Sequence, residues 1–344
     1  MNMKAVVKAS AAPGAVYQDV PVPEAGEQDV LVKIKAAAIC GTDLHIIHWT
    51  PWAQKRVQPP MVFGHEFAGE VVAVGGNVRR FKVGDRVAGE THIPCGSCRQ
   101  CLTGNQHICE NMKIIGVHVP GAFAEYIAIP EACAWPLAED LTYEQGAFLE
   151  PMGVAMHGVE AAGNLGGKDV LILGCGPIGV MGIAIAKSRG ANQVICTDMA
   201  ADKLELAKKM GATMALQAQG PVVETVMEAT GGEGAGVVID YSGSGHAIAD
   251  GFRALKKGGT MVLVGLPNGP VSLDLTDGII YKEAKVLGVT GRTMYGTWFE
   301  CEKALRSGKI DLHPVVGGTY ALEDFEKAFA AIDRQVPGKM LLIP

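Results

Sequence analysis

Two short stretches hold the side chains best suited to chemistry. Ile39-Cys40-Gly41-Thr42-Asp43-Leu44-His45 sets a thiol, a hydroxyl and an imidazole close together, and Gly64-His65-Glu66 adds a second imidazole and a carboxylate. Cys, His and Glu all bind zinc, and three protein ligands with one open position describe a catalytic site rather than a structural one. With Cys40, His65 and Glu66 as ligands, Thr42 and His45 are left to move protons. Spacing alone leaves plainer readings open: a lone Cys is commonly a small buried hydrophobe, and Gly-His-Glu can be a turn with a hydrogen-bonded histidine.

A second cluster is more specific. Cys95, Cys98 and Cys101 follow one another at C-x-x-C spacing, and Cys109 comes after seven intervening residues. Four thiolates so spaced can close a tetrahedron around one zinc, with Gly96 and Gly104 freeing the backbone to wrap it. Such a closed site leaves no room for substrate, so it would staple a lobe with few apolar residues. Buried free cysteines or an iron–sulfur cluster are the alternatives. His48, His92, His107, His118 and His313 read as loop or surface residues. Trp49 and Trp52 read as core, with lining of a substrate cleft as the second possibility.

The third motif is Gly174-Cys175-Gly176-Pro177-Ile178-Gly179. It follows the apolar run Lys168-Asp169-Val170-Leu171-Ile172-Leu173 and opens a helical stretch, Val180 to Arg189. A G-x-G-x-x-G alone is weak evidence. Between a buried strand and a helix, with Asp198 closing the next strand nineteen residues after Gly179, it is strong. The glycines bring backbone close to a pyrophosphate at the positive end of the helix. Asp198 can accept hydrogen bonds from an adenosine ribose and would repel a 2′-phosphate, which favours NAD over NADP. Lys203 would soften that preference, although a solvated charge is the commoner role for a helix lysine.

The elements that must position these groups fall into two grammars. Up to about residue 150, short alternating runs separated by Gly and Pro predict a β-rich, barrel-like domain: Met3 to Val7, Val30 to Lys35, Ala68 to Gly75, Val83 to Val87 and Phe123 to Ile129. After Glu150-Pro151 a helical run to Ala162 leads into strand–helix alternation. Strands end near Leu173, Thr197, Leu216, Asp240, Val264 and Thr290, which predicts a six-stranded doubly wound parallel sheet. Ser242-Gly243, Val264-Gly265-Leu266 and Val289-Thr290-Gly291 would form its carboxyl edge, where the nicotinamide half must lie. Helices at Phe299 to Ser307 and Glu323 to Ile332 and a strand at Lys339 to Ile343 are expected to return to the first domain. The division is thus 1–150, 151–295 and 296–344.

At 344 residues with 48% hydrophobic and 19% charged residues, the chain has ample apolar surface for two cores. A net charge of −6 disfavours a phosphate-backbone partner. Met1 to Lys8 reads as a strand rather than a secretory signal, and no run reaches the ~18 apolar residues of a membrane span. A cell interior follows as the expected location, where nine cysteines stay reduced.

Cys40 to His45, the Trp49-x-x-Trp52-x-Gln54 segment, Gly64 to Glu66, the four-cysteine lobe, Gly174 to Gly179 and Gly288-Val289-Thr290-Gly291-Arg292 together resemble the zinc-dependent medium-chain alcohol dehydrogenases, over essentially the whole chain. The tryptophan segment and the 288–292 run are most like the branch that oxidises L-threonine. The resemblance implies a GroES-like β-barrel-type catalytic domain beside a Rossmann sheet. It places Cys40, His65 and Glu66 on a catalytic zinc and Cys95, Cys98, Cys101 and Cys109 on a structural one. Thr42 and His45 match proton-relay positions, and Glu150 an acidic position that assists proton transfer, where classical members carry a cysteine ligand. Ile178, Asp198, Lys203, Val264, Gly265, Leu266, Val289 and Thr290 match cofactor contacts, with Arg common in the family at the Lys203 position. One departure is Val154, where the threonine branch carries Asn.

The reaction so implied is oxidation of the secondary alcohol of L-threonine to 2-amino-3-oxobutanoate with reduction of NAD. Arg292 is the candidate partner of the substrate carboxylate. The assembly implied is a homotetramer, with the 286–290 edge strand pairing between subunits. Two rivals stand beside this reading. The first is a polyol dehydrogenase acting on sorbitol or 2,3-butanediol with the same machinery. The second is a zinc module touching nucleic acid through the four-cysteine lobe, which has few basic residues beyond Arg99 and Lys113.

Overall fold

Runs that alternate apolar and polar residues become strands with alternating burial. In Asp29–Ala38, Val30, Val32, Ile34 and Ala36 face inward while Lys33 faces out. The computed structural model describes residues 1–344 and resolves them into two units, Met1–Glu150 with Val316–Pro344, and Pro151–Val315. No helix is long and apolar enough to cross a membrane.

The first unit is built on a seven-stranded sheet. Its order is Ala134–Pro136, Arg86–Gly89, Glu66–Val74, Asp29–Ala38, Lys339–Ile343 and Val316–Ala321, with Tyr126–Pro130 also pairing with Asp29–Ala38. The C-terminal strand joins antiparallel through Leu341 opposite Ala38 and Leu342 opposite Ala37, which carries Lys339 to the start of the Cys40 stretch. Gly69 is required where two strands press together, since a Cβ there would sit 2.2 Å from the Lys33 carbonyl oxygen. Phe63, Phe67, Phe123 and Phe329 fill the core, with Phe63 and Phe123 edge-to-face at 5.1 Å. Burying each such ring contributes about 1.5–3 kcal/mol. A smaller sheet, Val16–Pro21, Asn2–Lys8 and Met61–Val62, lies in the same unit. His92–Ile93 pairs with Lys113–Ile114 and brackets the cysteine lobe.

The second unit is a six-stranded, all-parallel sheet ordered Met214–Gln217, Gln193–Asp198, Asp169–Leu173, Ala235–Asp240, Leu255–Leu263 and Lys285–Gly288. Strand order reverses between Asp169–Leu173 and Ala235–Asp240, the switch point where such sheets open a crevice beyond their carboxyl ends. The fold is the α/β pairing of a GroES-like domain with a Rossmann sheet.

Two details depart from the sequence expectation. The helix expected after Pro151 begins upstream at Tyr143 and runs to Ala161 with Pro151 inside it. Proline lacks an N–H and normally ends a helix, but Phe148, Leu149, Met152, Ala155 and Met156 are all buried, so packing outweighs one lost hydrogen bond. The return to the first unit comes at Val316 rather than at residue 296. Helix Gly296–Arg306 stays with the parallel sheet because it buries Trp298, Cys301 and Leu305, and because Arg189 donates to the Glu300 carboxylate at 2.7 Å.

Candidate functional site

Cys40 ends an extended segment and caps the short helix Gly41–Ile47. Its backbone N–H donates to the Asp43 carboxylate at 2.8 Å, which fixes where the thiol points. His65 and Glu66 stand at the start of Glu66–Val74. The three ligand atoms of Cys40, His65 and Glu66 lie within 4.8 Å of one another.

The polar atoms here are nearly dry. His65 and Glu66 are buried, His65 Nδ1 lacks a hydrogen-bond partner, and Glu66 Oε2 has only the Lys339 ammonium, at 2.5 Å. Burial pushes the Glu66 carboxyl well above the usual carboxylate range, and burial likewise pushes the Cys40 thiol up. A cluster of this kind is unfavourable without a cation to compensate it. That dry setting and that donor set fit a zinc ion. His65 Nδ1 stands 3.7 Å from the Asp43 carboxylate, so its Nε2 is the nitrogen left for a metal.

Two groups beyond the sequence expectation support this cluster. Asp43, fully buried, links the Cys40 backbone to the His65 ring. Its signal was present in the sequence as an acid three residues after the capping position. Lys339 gave no signal, since only the C-terminal strand pairing brings it in. Its ammonium donates to Glu66 Oε1 at 2.5 Å and to the Ile39 carbonyl at 2.9 Å. Burial disfavours its charge, yet the Glu66 and Cys40 charges more than offset this and hold its pKa above the ordinary lysine value.

Glu150 is buried, and its charge reaches Cys40, Asp43, Glu66 and Lys339. Thr42 and His45 stand one turn apart on the helix that Cys40 caps. His45 is exposed, and its Nδ1 is 3.1 Å from Thr50 Oγ1. Its ring lies 5.7 Å from Trp52, which also carries the Arg56 guanidinium on its face. The Lys8 ammonium sits 4.9 Å from the Trp49 ring centre. Both tryptophans therefore pack against the first unit's core.

The second cluster closes on itself. The four sulfurs of Cys95, Cys98, Cys101 and Cys109 lie within 4.8 Å of one another, with Cys98 to Cys101 at 3.5 Å and Cys98 to Cys109 at 3.9 Å. Zinc–sulfur bonds of about 2.3 Å require sulfurs roughly 3.8 Å apart in a tetrahedron, so the spacing fits. Backbone N–H groups of Ser97 and Cys98 hold the Cys95 thiol down to about 5, whereas burial pushes Cys101 up to about 12. His92 lies beside the buried Glu90 carboxylate, His48 pairs with Asp333, and His118 accepts from the Ile114 N–H.

In the second unit each glycine of the turn has its own reason. Gly174 has φ +90, and a Cβ on Gly179 would stand 1.9 Å from the Gly174 carbonyl oxygen. A Cβ on Gly176 would meet nothing, so the chain itself does not demand glycine there, and the open space suits a close-approaching ligand. Gly176 caps helix Pro177–Ser188, whose N-terminus is a ready anion site. The Asp198 carboxylate accepts from the N–H groups of Cys175 at 2.8 Å and Ala200 at 2.9 Å, which ties the strand end to the glycine turn. Ile178 and Lys203 are half-buried nearby in sequence, Val264, Gly265 and Leu266 follow Leu255–Leu263, and Val289 and Thr290 follow Lys285–Gly288.

Arg292, the candidate carboxylate partner, is fully buried, its guanidinium 5.9 Å over the Trp298 ring and its Cδ 2.7 Å from where a Gly153 Cβ would stand.

Residues 26–139 match the alcohol dehydrogenase GroES-like domain, and residues 177–307 match the zinc-binding dehydrogenase domain. The L-threonine 3-dehydrogenase of Bacillus subtilis strain 168 is 44% identical, covering 100% of this chain and 99% of that protein. A putative zinc-binding dehydrogenase from Sinorhizobium meliloti 1021, solved bound to NADP, superimposes with a TM-score of 0.91 at 33% identity, covering 100% of each chain. The 2R,3R-butanediol dehydrogenase of Bacillus subtilis superimposes at 0.90 with 27% identity, covering 99% of each chain. Matched by both domains and by a relative aligned end to end, the chain belongs to the zinc-dependent medium-chain alcohol dehydrogenase family.

Proposed function

We propose that the protein oxidises the secondary alcohol of L-threonine to 2-amino-3-oxobutanoate with reduction of NAD. The observation that carries the chemistry is the cluster of Cys40, His65 and Glu66, whose three ligand atoms converge within 4.8 Å in a nearly dry site. Identity with the threonine 3-dehydrogenase of B. subtilis supports the substrate. Bound there, zinc would supply Lewis acidity that lowers the pKa of an alcohol, and NAD would accept the hydride.

The chain's own residues do the rest. Asp43 orients Cys40 through its backbone and His65 through its ring, and Lys339 fixes the Glu66 carboxylate. The Thr42 hydroxyl accepts the alcohol proton as it gives up its own, and exposed His45, whose ring Thr50 orients, releases a proton to water. Glu150, buried beside the ligands, is placed to assist the proton's transfer. Cys95, Cys98, Cys101 and Cys109 hold a second, structural zinc that staples their lobe.

Gly174, Gly176, Pro177, Ile178 and Gly179 would receive the pyrophosphate of a bound NAD. Asp198 and Lys203 would hold its adenosine ribose, and Val264, Gly265, Leu266, Val289 and Thr290 its nicotinamide half. The negative charge of Asp198 favours NAD over NADP. Nine free cysteines suit a reducing compartment, the cytoplasm. Lys285–Gly288 is a sheet-edge strand exposed along its whole length, which suits pairing between subunits of a homotetramer.

One observation favours a second reading. Val154 presents no polar group where the threonine branch carries Asn, which suits a less polar diol such as 2,3-butanediol. NADH production from L-threonine, 2,3-butanediol and sorbitol at equal concentration separates the readings, with zinc counted on the same sample. Threonine is expected to be turned over fastest; no NADH from threonine sinks the proposal.

A further inference from the structure

Asp240 closes the strand Ala235–Asp240, at the carboxyl edge of the parallel sheet, and is fully buried. The bonds of its carboxylate and of its backbone oxygen go to two neighbouring loops. Oδ1 accepts from the Ser242 N–H at 2.9 Å and from the Ser242 hydroxyl at 2.6 Å, and Oδ2 accepts from the Gly243 N–H at 3.1 Å. Its backbone oxygen accepts from the N–H groups of Val264 and Gly265, each at 3.0 Å. The two loops are pressed together with no slack. A Cβ on Gly265 would stand 2.2 Å from the Gly243 nitrogen and 2.8 Å from Asp240 Oδ2, and one on Gly243 would stand 2.5 Å from the Leu266 oxygen. Ser242 in turn abuts the glycine turn, since a Cβ on Gly174 would meet the Ser242 Cα at 2.9 Å.

A buried carboxylate is a costly way to hold a core together. Its three bonds, and the two accepted by the backbone oxygen of the same residue, gather instead at the edge where strand order reverses and ligands bind. We propose that Asp240 is a positioning residue for the nicotinamide half of the cofactor: it locks the 242–243 turn against the 264–266 loop, so that the loop is preformed before NAD arrives. This rests on the reading of Val264, Gly265 and Leu266 as cofactor contacts. Because the Asp240 bonds go to those loops, it affects the nicotinamide end more than the adenosine end, where Asp198 is held separately by the Cys175 and Ala200 N–H groups.

The test uses the full-length, zinc-loaded protein, with NADH binding read by fluorescence and ADP as a competitor that occupies only the adenosine and pyrophosphate end. Asp240→Asn keeps the shape but turns an NH₂ toward one of the N–H groups it must accept from. It is expected to weaken NADH roughly tenfold, the equivalent of about 1.4 kcal/mol, and to raise KM for NAD in step, with ADP affinity within about twofold. Ser242→Ala removes one donor and keeps both backbone bonds, so a smaller loss of the same pattern is expected even if Asp240→Asn does not fold. Equal weakening of NADH and ADP, or unchanged NADH binding in both variants, overturns the proposal. An unaltered protein that binds neither NADH nor ADP overturns the cofactor reading itself, and the proposal with it.

Discussion

Replacing Lys339 by Met would test the charge balance at the buried cluster. The ammonium lies 2.5 Å from Glu66 and both side chains are almost fully enclosed. Removing one partner of such a pair costs about 3–5 kcal/mol, because the other charge is left uncompensated. With Lys339 beside it the Glu66 carboxyl already sits well above the usual carboxylate range, and without the ammonium burial raises it further. A folded pKa raised above the unfolded one gives stability that is fully present below the unfolded value and is lost as pH rises through the folded one. The penalty should therefore be smaller at pH 5 than at pH 7. A further ~1 kcal/mol, independent of pH, reflects the Ile39 carbonyl left without its donor. Urea unfolding of the metal-free and zinc-loaded forms at pH 7 and pH 5 measures all of this. Zinc replaces the missing cation, so the loaded variant should lose much less than the stripped one. Equal losses with and without zinc, or a loss that does not change between the two pH values, would refute the reasoning.

Three other expectations follow from the same geometry. Cys40→Ser should lose zinc and activity together, whereas His45→Asn should keep its zinc and lose rate by up to about 10²-fold; metal analysis beside kcat decides, and zinc loss from His45→Asn would overturn the division of roles. In metal-stripped protein Cys95 should be alkylated first, with a rate that rises through an apparent pKa of about 5, while Cys101, pushed up to about 12, stays inert at neutral pH; peptide mapping after a short iodoacetamide pulse reads this. Gly179→Ala should cost about 1–3 kcal/mol, as overpacking does, since its Cβ would stand 1.9 Å from a backbone oxygen. Gly176→Ala, with open space around the position, should unfold like the parent and bind NADH more weakly.

Much of this molecule was legible in local residue patterns. The two metal clusters, the glycine turn and the two grammars of strand and helix each depend on spacings of a few residues. At that range side-chain chemistry and backbone period are readable directly. Asp43 was within reach for the same reason, as the acid inside the Cys40 stretch. The Tyr143–Ala161 helix was misread because Pro151 is a strong local stop signal, and only burial of the residues around it overrides that signal. Helix Gly296–Arg306 was assigned to the wrong side because its partners, Arg189 among them, are distant in sequence.

Tertiary structure alone decided the electrostatics. Nothing in the sequence joins Lys339 to Glu66, 273 residues away, until the last strand pairs with Asp29–Ala38. Arg292 reads as a partner for a substrate carboxylate, and only packing against Gly153 and Trp298 shows it enclosed. Asp240 read as the end of a strand, and its hold on the Val264 loop exists only once parallel strands lie in register. Ligand types and turns are local and so are written in the sequence. Which charges lose their water, and what neutralises them, depends on contacts between distant segments, and those exist only in the fold.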